Sequence, residues 1–187
     1  MKNIEPTKIS IKSIFLIDLD GTLVDTNYAN YLSYHYAVKQ VLGINLSYDE
    51  NIRFTRSVLS KIFPDILKLD FKEIIRVKEN KYKDFLEKTK INKNLVTLLQ
   101  RYYKTNRLVL VTKSSDRRAK ETLFFHNLAH YFSDKIFSKE SNKYKEAIDL
   151  LHLSVSSVIV FEDDDFEIEN AIKVGIAKQN IQKVIFN

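Results

Sequence analysis

Two aspartates one residue apart, Asp18 and Asp20, follow directly on the apolar run Ile14-Phe15-Leu16-Ile17. In an extended chain residues i and i+2 point the same way, so both carboxylates can face one site at the strand's C-terminal edge. Neighbouring carboxylates repel each other and invite either a hard cation or a shared proton. Gly21 lets the chain turn sharply after them, and Thr22 adds a hydroxyl beside them. Two further apolar runs also end in polar residues. Leu108-Val109-Leu110-Val111 leads into Thr112-Lys113-Ser114-Ser115 just before a helix start, where hydroxyls and free backbone N–H groups suit a phosphate. Val158-Ile159-Val160-Phe161 leads into Glu162-Asp163-Asp164-Asp165, a carboxylate cluster suited to oxygen-loving Mg²⁺. Asp164 and Asp165 read more simply as solvent-facing or helix-capping residues. A basic residue at the start of the helix that begins near Lys143 can lie at the same edge.

These side chains need a scaffold that brings three strand ends together. Continuous apolar runs such as 14–17 fit strands buried on both faces of a parallel sheet. From Asn94 onward strands alternate with helices: helices near 95–102, 116–127, 143–151 and 166–174, strands at 108–111, 135–137 and 158–161, and a last edge strand at 183–186. That alternation argues for a parallel sheet with right-handed crossovers. Between Thr26 and about Lys90 there is no strand pattern. Tyr28, Tyr31, Leu32, His35, Val38 and Leu42 recur at helical spacing up to Gly43. Ser47-Tyr48-Asp49-Glu50 fits a capping box that starts a second helix, which Pro64 closes. Phe71, Ile74, Ile75, Tyr82, Phe85 and Leu86 mark a third, long helix. Tyr28, Tyr31 and His35 read as the interior of this small bundle.

Composition narrows the function classes. At 187 residues, with 44% hydrophobic and 12% aromatic content, the chain can bury one full core or a core with a small inserted domain. It has no cysteine, which excludes disulfides, thiolate zinc sites and cysteine nucleophiles. The polar N-terminus and the short apolar run after it predict a cytoplasmic protein without a signal peptide or membrane span. The formal charge is +6, and its excess is local: 11 Lys or Arg stand against 4 Asp or Glu between Lys72 and Arg107. Such a run is simplest as a solvated face, or as a means of drawing in anions. No RNA-binding or helix-turn-helix signature accompanies it, so nucleic acid is not the expected partner, nor is a membrane.

Asp18-Leu19-Asp20-Gly21-Thr22-Leu23 resembles the first motif of the haloacid dehalogenase superfamily, most of whose members are phosphohydrolases. Thr112 matches the Ser/Thr of that family's second motif, and Phe161-Glu162-Asp163 with Ala171 and Gly175 resembles the fourth. The third motif needs a lysine. Spacing to the following helix favours Lys143, with Lys139 and Lys145 as further candidates, and the proline often found in that motif is absent. The resemblance covers about residues 11–26 and 94–180, while the insertion resembles the family's helical C1 cap in position and type.

What the resemblance implies can be stated residue by residue. The fold would be α/β, a Rossmann-like parallel sheet core with helices on both faces and an inserted α-helical cap, the core at 1–26 and 92–187 and the cap at 27–91. The activity would be that of a Mg²⁺-dependent phosphohydrolase, a phosphomonoesterase acting on a small phosphorylated metabolite through an aspartyl-phosphate. Asp18 would be the nucleophile and Asp20 the general acid and base, with Thr112 and Lys143 holding the phosphoryl oxygens. Gly21 and Lys113 would join them in phosphate binding, and Arg117 can also reach a phosphate, though surface solvation is the simpler reading for both side chains. Mg²⁺ would be held by Asp18, the Asp20 carbonyl and Asp163, with Glu162 binding directly, through water, or only orienting Lys143. The presence of Asp20 argues against the dehalogenase branch. A phosphomutase of the same superfamily, and a phosphate- or protein-binding module that has lost turnover, are the competing readings. The state of assembly, monomer or homo-dimer, stays open.

Overall fold

Ile14-Phe15-Leu16-Ile17 carries apolar side chains on both faces of the chain, and only a strand covered on both sides buries them all. The computed structural model describes residues 9–186. Its strands are, in chain order, β1 (Ile14–Ile17), β2 (Val24–Asp25), β3 (Lys90–Ile91), β4 (Arg107–Thr112), β5 (Asp134–Phe137), β6 (Val158–Glu162) and β7 (Ile181–Lys183). Its helices are α1 (Asn27–Leu42), α2 (Arg56–Ile62), α3 (Lys68–Lys81), α4 (Lys93–Tyr102), α5 (Asp116–Phe125), α6 (Lys143–Leu151) and α7 (Asp165–Lys173). Five strands form one parallel sheet in the order β5-β4-β1-β6-β7, with β1 at its centre.

Strand alternation sorts the core into two layers. Phe15, Ile17, Leu108, Leu110, Ile159 and Phe161 face one side and pack with Leu95 and Leu99 of α4 and Leu123 of α5. Leu16, Val109, Val111, Val158 and Val160 face the other, against Tyr144, Ala147 and Ile148 of α6 and Ala171 of α7. Helices therefore cover both faces, as expected for an α/β doubly wound sheet. Each fully buried aliphatic side chain contributes about 1.5–3 kcal/mol.

Register brings the chemistry together. Ile17 stands level with Leu110 of β4 and Phe161 of β6, so the chain leaves all three central strands at one edge. The Asp18 N–H donates to the Phe161 carbonyl at 3.1 Å, carrying the ladder one residue past β1. The last strand lies at Ile181–Lys183 rather than at 183–186, because pairing to β6 ends where Glu162 meets Lys183. Beyond that point Val184 still donates its N–H to the Glu162 carbonyl at 2.8 Å.

The chain divides into two compact units, one of residues 9–25 and 91–186 and the other Thr26–Lys90. β2 and β3, where the chain leaves and re-enters the first unit, form a two-stranded sheet of their own. The second unit is helical and has its own core, which includes Tyr31, Tyr34, Val38, Phe54, Leu59 and Ile74. Three expectations for it need correction. Residues 47–50 do not start a helix: Asp49 accepts from the Asn51 N–H at 2.9 Å in a local turn, and α2 begins after Thr55, whose hydroxyl accepts from the Val58 N–H at 3.3 Å. The third helix does not run on as one α-helix, because Tyr82–Lys88 tightens into 3₁₀ geometry. Tyr28 is 41% exposed, whereas Tyr31 is buried and donates its hydroxyl to the Leu46 carbonyl at 2.8 Å. No helix among the described residues is long and apolar enough to cross a membrane.

Candidate active site

Asp18 sits one residue past β1, buried beside Lys143 of α6, whose Nζ lies 2.5 Å from Asp18 Oδ1 and 2.7 Å from Glu162 Oε2. Lys143 is delivered there by the start of its helix. Asn142 caps α6 by accepting from the Tyr144 and Lys145 N–H groups, and its own amide donates to the Asn170 carbonyl of α7 at 2.8 Å. Of the three candidate lysines, Lys143 reaches Asp18, whereas Lys145 pairs with Asp149 at the surface and Lys139 is exposed. Glu162 is held on every side: Lys143 and the Tyr144 hydroxyl, at 2.6 Å, bond Oε2, and the N–H groups of Asp163 and Asp164 bond Oε1.

Gly21 and Thr22 shape the place of Asp163. The Gly21 backbone has φ +91°, and a Cβ there would lie 2.3 Å from an Asp163 carboxylate oxygen. Asp163 thus occupies the space that the absent side chain leaves. The buried Thr22 hydroxyl donates to Asp163 Oδ1 at 2.7 Å and fixes its orientation. Carboxylate oxygens of Asp18, Glu162 and Asp163 all lie within 4.8 Å of one another.

Burial and neighbouring charge together set the titration of the site. Burial pushes the Asp18 carboxyl well above the usual carboxylate range; Lys143 pulls the other way, and Glu162, Asp163 and Asp20 add to the rise. Burial would lower the Lys143 ammonium, but the Asp18 and Glu162 carboxylates outweigh it and hold the group above its ordinary value. Burial, reinforced by the Glu162 charge, pushes the Tyr144 phenol well up, so that it stays a neutral donor.

The end of β4 supplies the other wall. Thr112 is buried, and its hydroxyl accepts from the Ser114 N–H at 3.1 Å. Lys113 turns the other way, with Nζ on Glu167 Oε1 at 2.6 Å and on the Ser141 carbonyl at 2.9 Å. Arg117 pairs with Glu121 at the surface. Its neighbour Arg118 points inward, with Nη2 2.8 Å from Asp20 Oδ2, and both groups also meet the Ser114 hydroxyl. Arg118, Ser114 and Tyr144 join this site without any sequence motif that singles them out. Ser114 and Arg118 stand at i and i+4 across the start of α5, and that spacing is the available signal.

The family model of haloacid dehalogenase-like hydrolases matches residues 15–180. The chain belongs to this family. Among its relatives, a protein of Caldanaerobacter subterraneus subsp. tengcongensis named "Putative pyrophosphatase PpaX" is 26% identical over 174 residues, covering 86% of this chain and 77% of that one. A haloacid dehalogenase-like hydrolase from Streptococcus pneumoniae shares the fold with a TM-score of 0.72 at 21% identity, over 92% of this chain and 83% of the other. CbbY from Rhodobacter sphaeroides, solved in complex with phosphate, aligns with a TM-score of 0.72 at 16% identity, over 92% and 85% of the two chains.

In this haloacid dehalogenase-like hydrolase the donor set fits a hard divalent cation. Every ligand on offer is oxygen: Asp18, Glu162 and Asp163 bring carboxylate oxygens within 4.8 Å of one another, while Lys143 pairs with Asp18 and Glu162, and Arg118 with Asp20. Three clustered carboxylates beside one ammonium in a largely buried setting suit a divalent ion, which would offset their mutual repulsion. The space left open at Gly21 holds the Asp163 carboxylate within 4.8 Å of the Asp18 and Glu162 oxygens.

Proposed function

We propose that the protein is a Mg²⁺-dependent phosphomonoesterase acting on a small phosphorylated metabolite. The observation that carries this reading is the buried Asp18 carboxylate at a strand end, with Lys143 at 2.5 Å on one side and Asp163, seated over Gly21, on the other. A buried nucleophile, a fixed cation and a hard-ion donor set together suit the transfer of a dianionic phosphoryl group. A relative named as a pyrophosphatase and a neighbour solved with phosphate support chemistry of this kind.

Each residue then has a part. An Asp18 oxygen attacks phosphorus, and the bond to the ester oxygen breaks as Asp20 gives that oxygen a proton. Asp20 next takes a proton from water, which attacks the aspartyl-phosphate, releases inorganic phosphate and returns Asp18 to its carboxylate. Thr112 and Lys143 hold the phosphoryl oxygens, with the Gly21 backbone near them. Asp18, the Asp20 carbonyl and Asp163 would hold Mg²⁺, which supplies charge neutralisation between carboxylate and phosphate when bound. Glu162, with Lys143, Tyr144 and two backbone N–H groups already on its oxygens, is assigned to orienting Lys143. Lys113, engaged by Glu167, joins the phosphate only if it leaves that partner. The helical segment 27–91 is assigned the part of a cap that selects the leaving group.

The test is phosphate release from 4-nitrophenyl phosphate, pyrophosphate and a panel of small phosphorylated metabolites, with and without Mg²⁺. Turnover should need Mg²⁺ and fall by about a thousandfold or more in Asp18→Asn. Turnover that survives in Asp18→Asn, or that ignores chelation, contradicts the reading.

A further inference from the structure

Asp20 lies on the loop beyond β1, outside the sheet that fixes Asp18. A side chain in that position has two rotatable bonds to settle before it can serve a leaving oxygen. The structure settles them from α5. Arg118 Nη2 sits 2.8 Å from Asp20 Oδ2, the Ser114 hydroxyl bonds the same oxygen, and Arg118 and Ser114 bond each other. All three side chains are largely removed from water, and Arg118 lies in the first turn of α5.

We infer that Arg118 and Ser114 are positioning residues that hold Asp20 at the leaving-group oxygen of the substrate. The inference rests on the phosphohydrolase reading and adds a role to that site. Three features carry it. First, both donors grip one carboxylate oxygen, which fixes the plane of the carboxyl group. Second, Arg118 differs from its neighbour: Arg117 spends its charge on Glu121 at the surface, while Arg118 is turned inward. Third, Ser114 closes a triangle and bridges the β4 loop to α5, so displacement of either donor releases the other. A proton donor must meet the departing oxygen within hydrogen-bond reach, and a misplacement of about 1 Å can cost about a hundredfold in rate.

The experiment uses the full chain with Mg²⁺ and two substrates of similar shape, 4-nitrophenyl phosphate and phenyl phosphate. Their leaving oxygens differ in basicity, so the first departs readily without a proton and the second does not. The quantity compared is kcat/KM, which reports the steps up to the breaking of the ester bond. Arg118→Met should lower it by about a hundredfold on phenyl phosphate and by less than about tenfold on 4-nitrophenyl phosphate. Ser114→Ala should act in the same sense but more weakly, Arg118→Lys should recover part of the loss, and Asp20→Asn should show the same contrast. Equal losses on both substrates overturn the inference. So does a shared rise in KM at unchanged kcat, which would make Arg118 a phosphate contact. Should Arg118→Met fail to fold, Ser114→Ala and Arg118→Lys carry the same comparison. Wild type that turns over both substrates while the variants show no contrast defeats this inference alone. Wild type that releases phosphate from neither of these, nor from pyrophosphate or the metabolite panel, defeats the phosphohydrolase reading, and this inference with it.

Discussion

At Gly21 two requirements meet in one residue. The backbone takes φ +91°, and the Asp163 carboxylate occupies the space where a Cβ would stand. Gly21→Ala should therefore destabilise the fold by on the order of 1–3 kcal/mol from the backbone alone. It should also push Asp163 away from Asp18, raising the Mg²⁺ concentration needed for half-maximal turnover. Thermal unfolding and a Mg²⁺ titration of activity check the two effects separately. An alanine variant that matched wild type in both would mean that Asp163 has another place to sit. Much at this scale was legible. Asp18, Asp20, Gly21 and Thr22 fall within five consecutive residues, so their types and spacing alone place carboxylates, a turn and a hydroxyl together. Arg118 was not, because Arg117 and Arg118 are the same residue type side by side, and only the rotation of α5 decides which one faces Asp20. Lys143, Lys139 and Lys145 pose the same difficulty, and here the cap of α6 decides it.

The elements matter through their ends. β1, β4 and β6 stop at one edge because their register is level, and each hands its next residues to the site. α6 contributes by its first turn, where Asn142 caps the helix and also ties it to α7. Asn142→Ala should cost about 1 kcal/mol in unfolding free energy. Because the loosened turn carries Lys143, activity should fall further than stability does, with the loss in kcat rather than in KM. Urea unfolding beside steady-state kinetics reads both quantities, and an equal, small effect on each would make the cap merely structural. Strongly apolar strands and long periodic helices were legible because burial on both faces leaves a continuous pattern. The stretch 44–55 was not. A Ser-x-x-Glu match looks like a helix start, but the Asp49 side chain satisfies the Asn51 N–H locally and removes the need for a helix there.

For the molecule as a whole, stability and chemistry pull in opposite directions. The sheet is dry and apolar, yet its central edge gathers four carboxylates, and burial with mutual repulsion pushes Asp18 well above its usual range. A cation that binds the folded chain and not the unfolded one stabilises it by mass action, by about 2.7 kcal/mol at a hundred times its dissociation constant. Mg²⁺ should therefore raise the unfolding midpoint of wild type by several degrees. Asp163→Asn should lose most of that increment while keeping a midpoint near wild type in chelator. Calorimetry of the two proteins with and without Mg²⁺ checks it, and an equal increment in both would take Asp163 out of the metal site.

The central claim is that Asp18 carries the phosphoryl group. Turnover of 4-nitrophenyl phosphate with Mg²⁺, quenched in acid and followed by peptide mass mapping, tests it most directly. The account predicts a phosphate adduct on the peptide containing Asp18 and none in Asp18→Asn. The adduct should accumulate in Asp20→Asn, where water is no longer activated. Steady turnover with no adduct on Asp18 in any of these proteins would contradict the account.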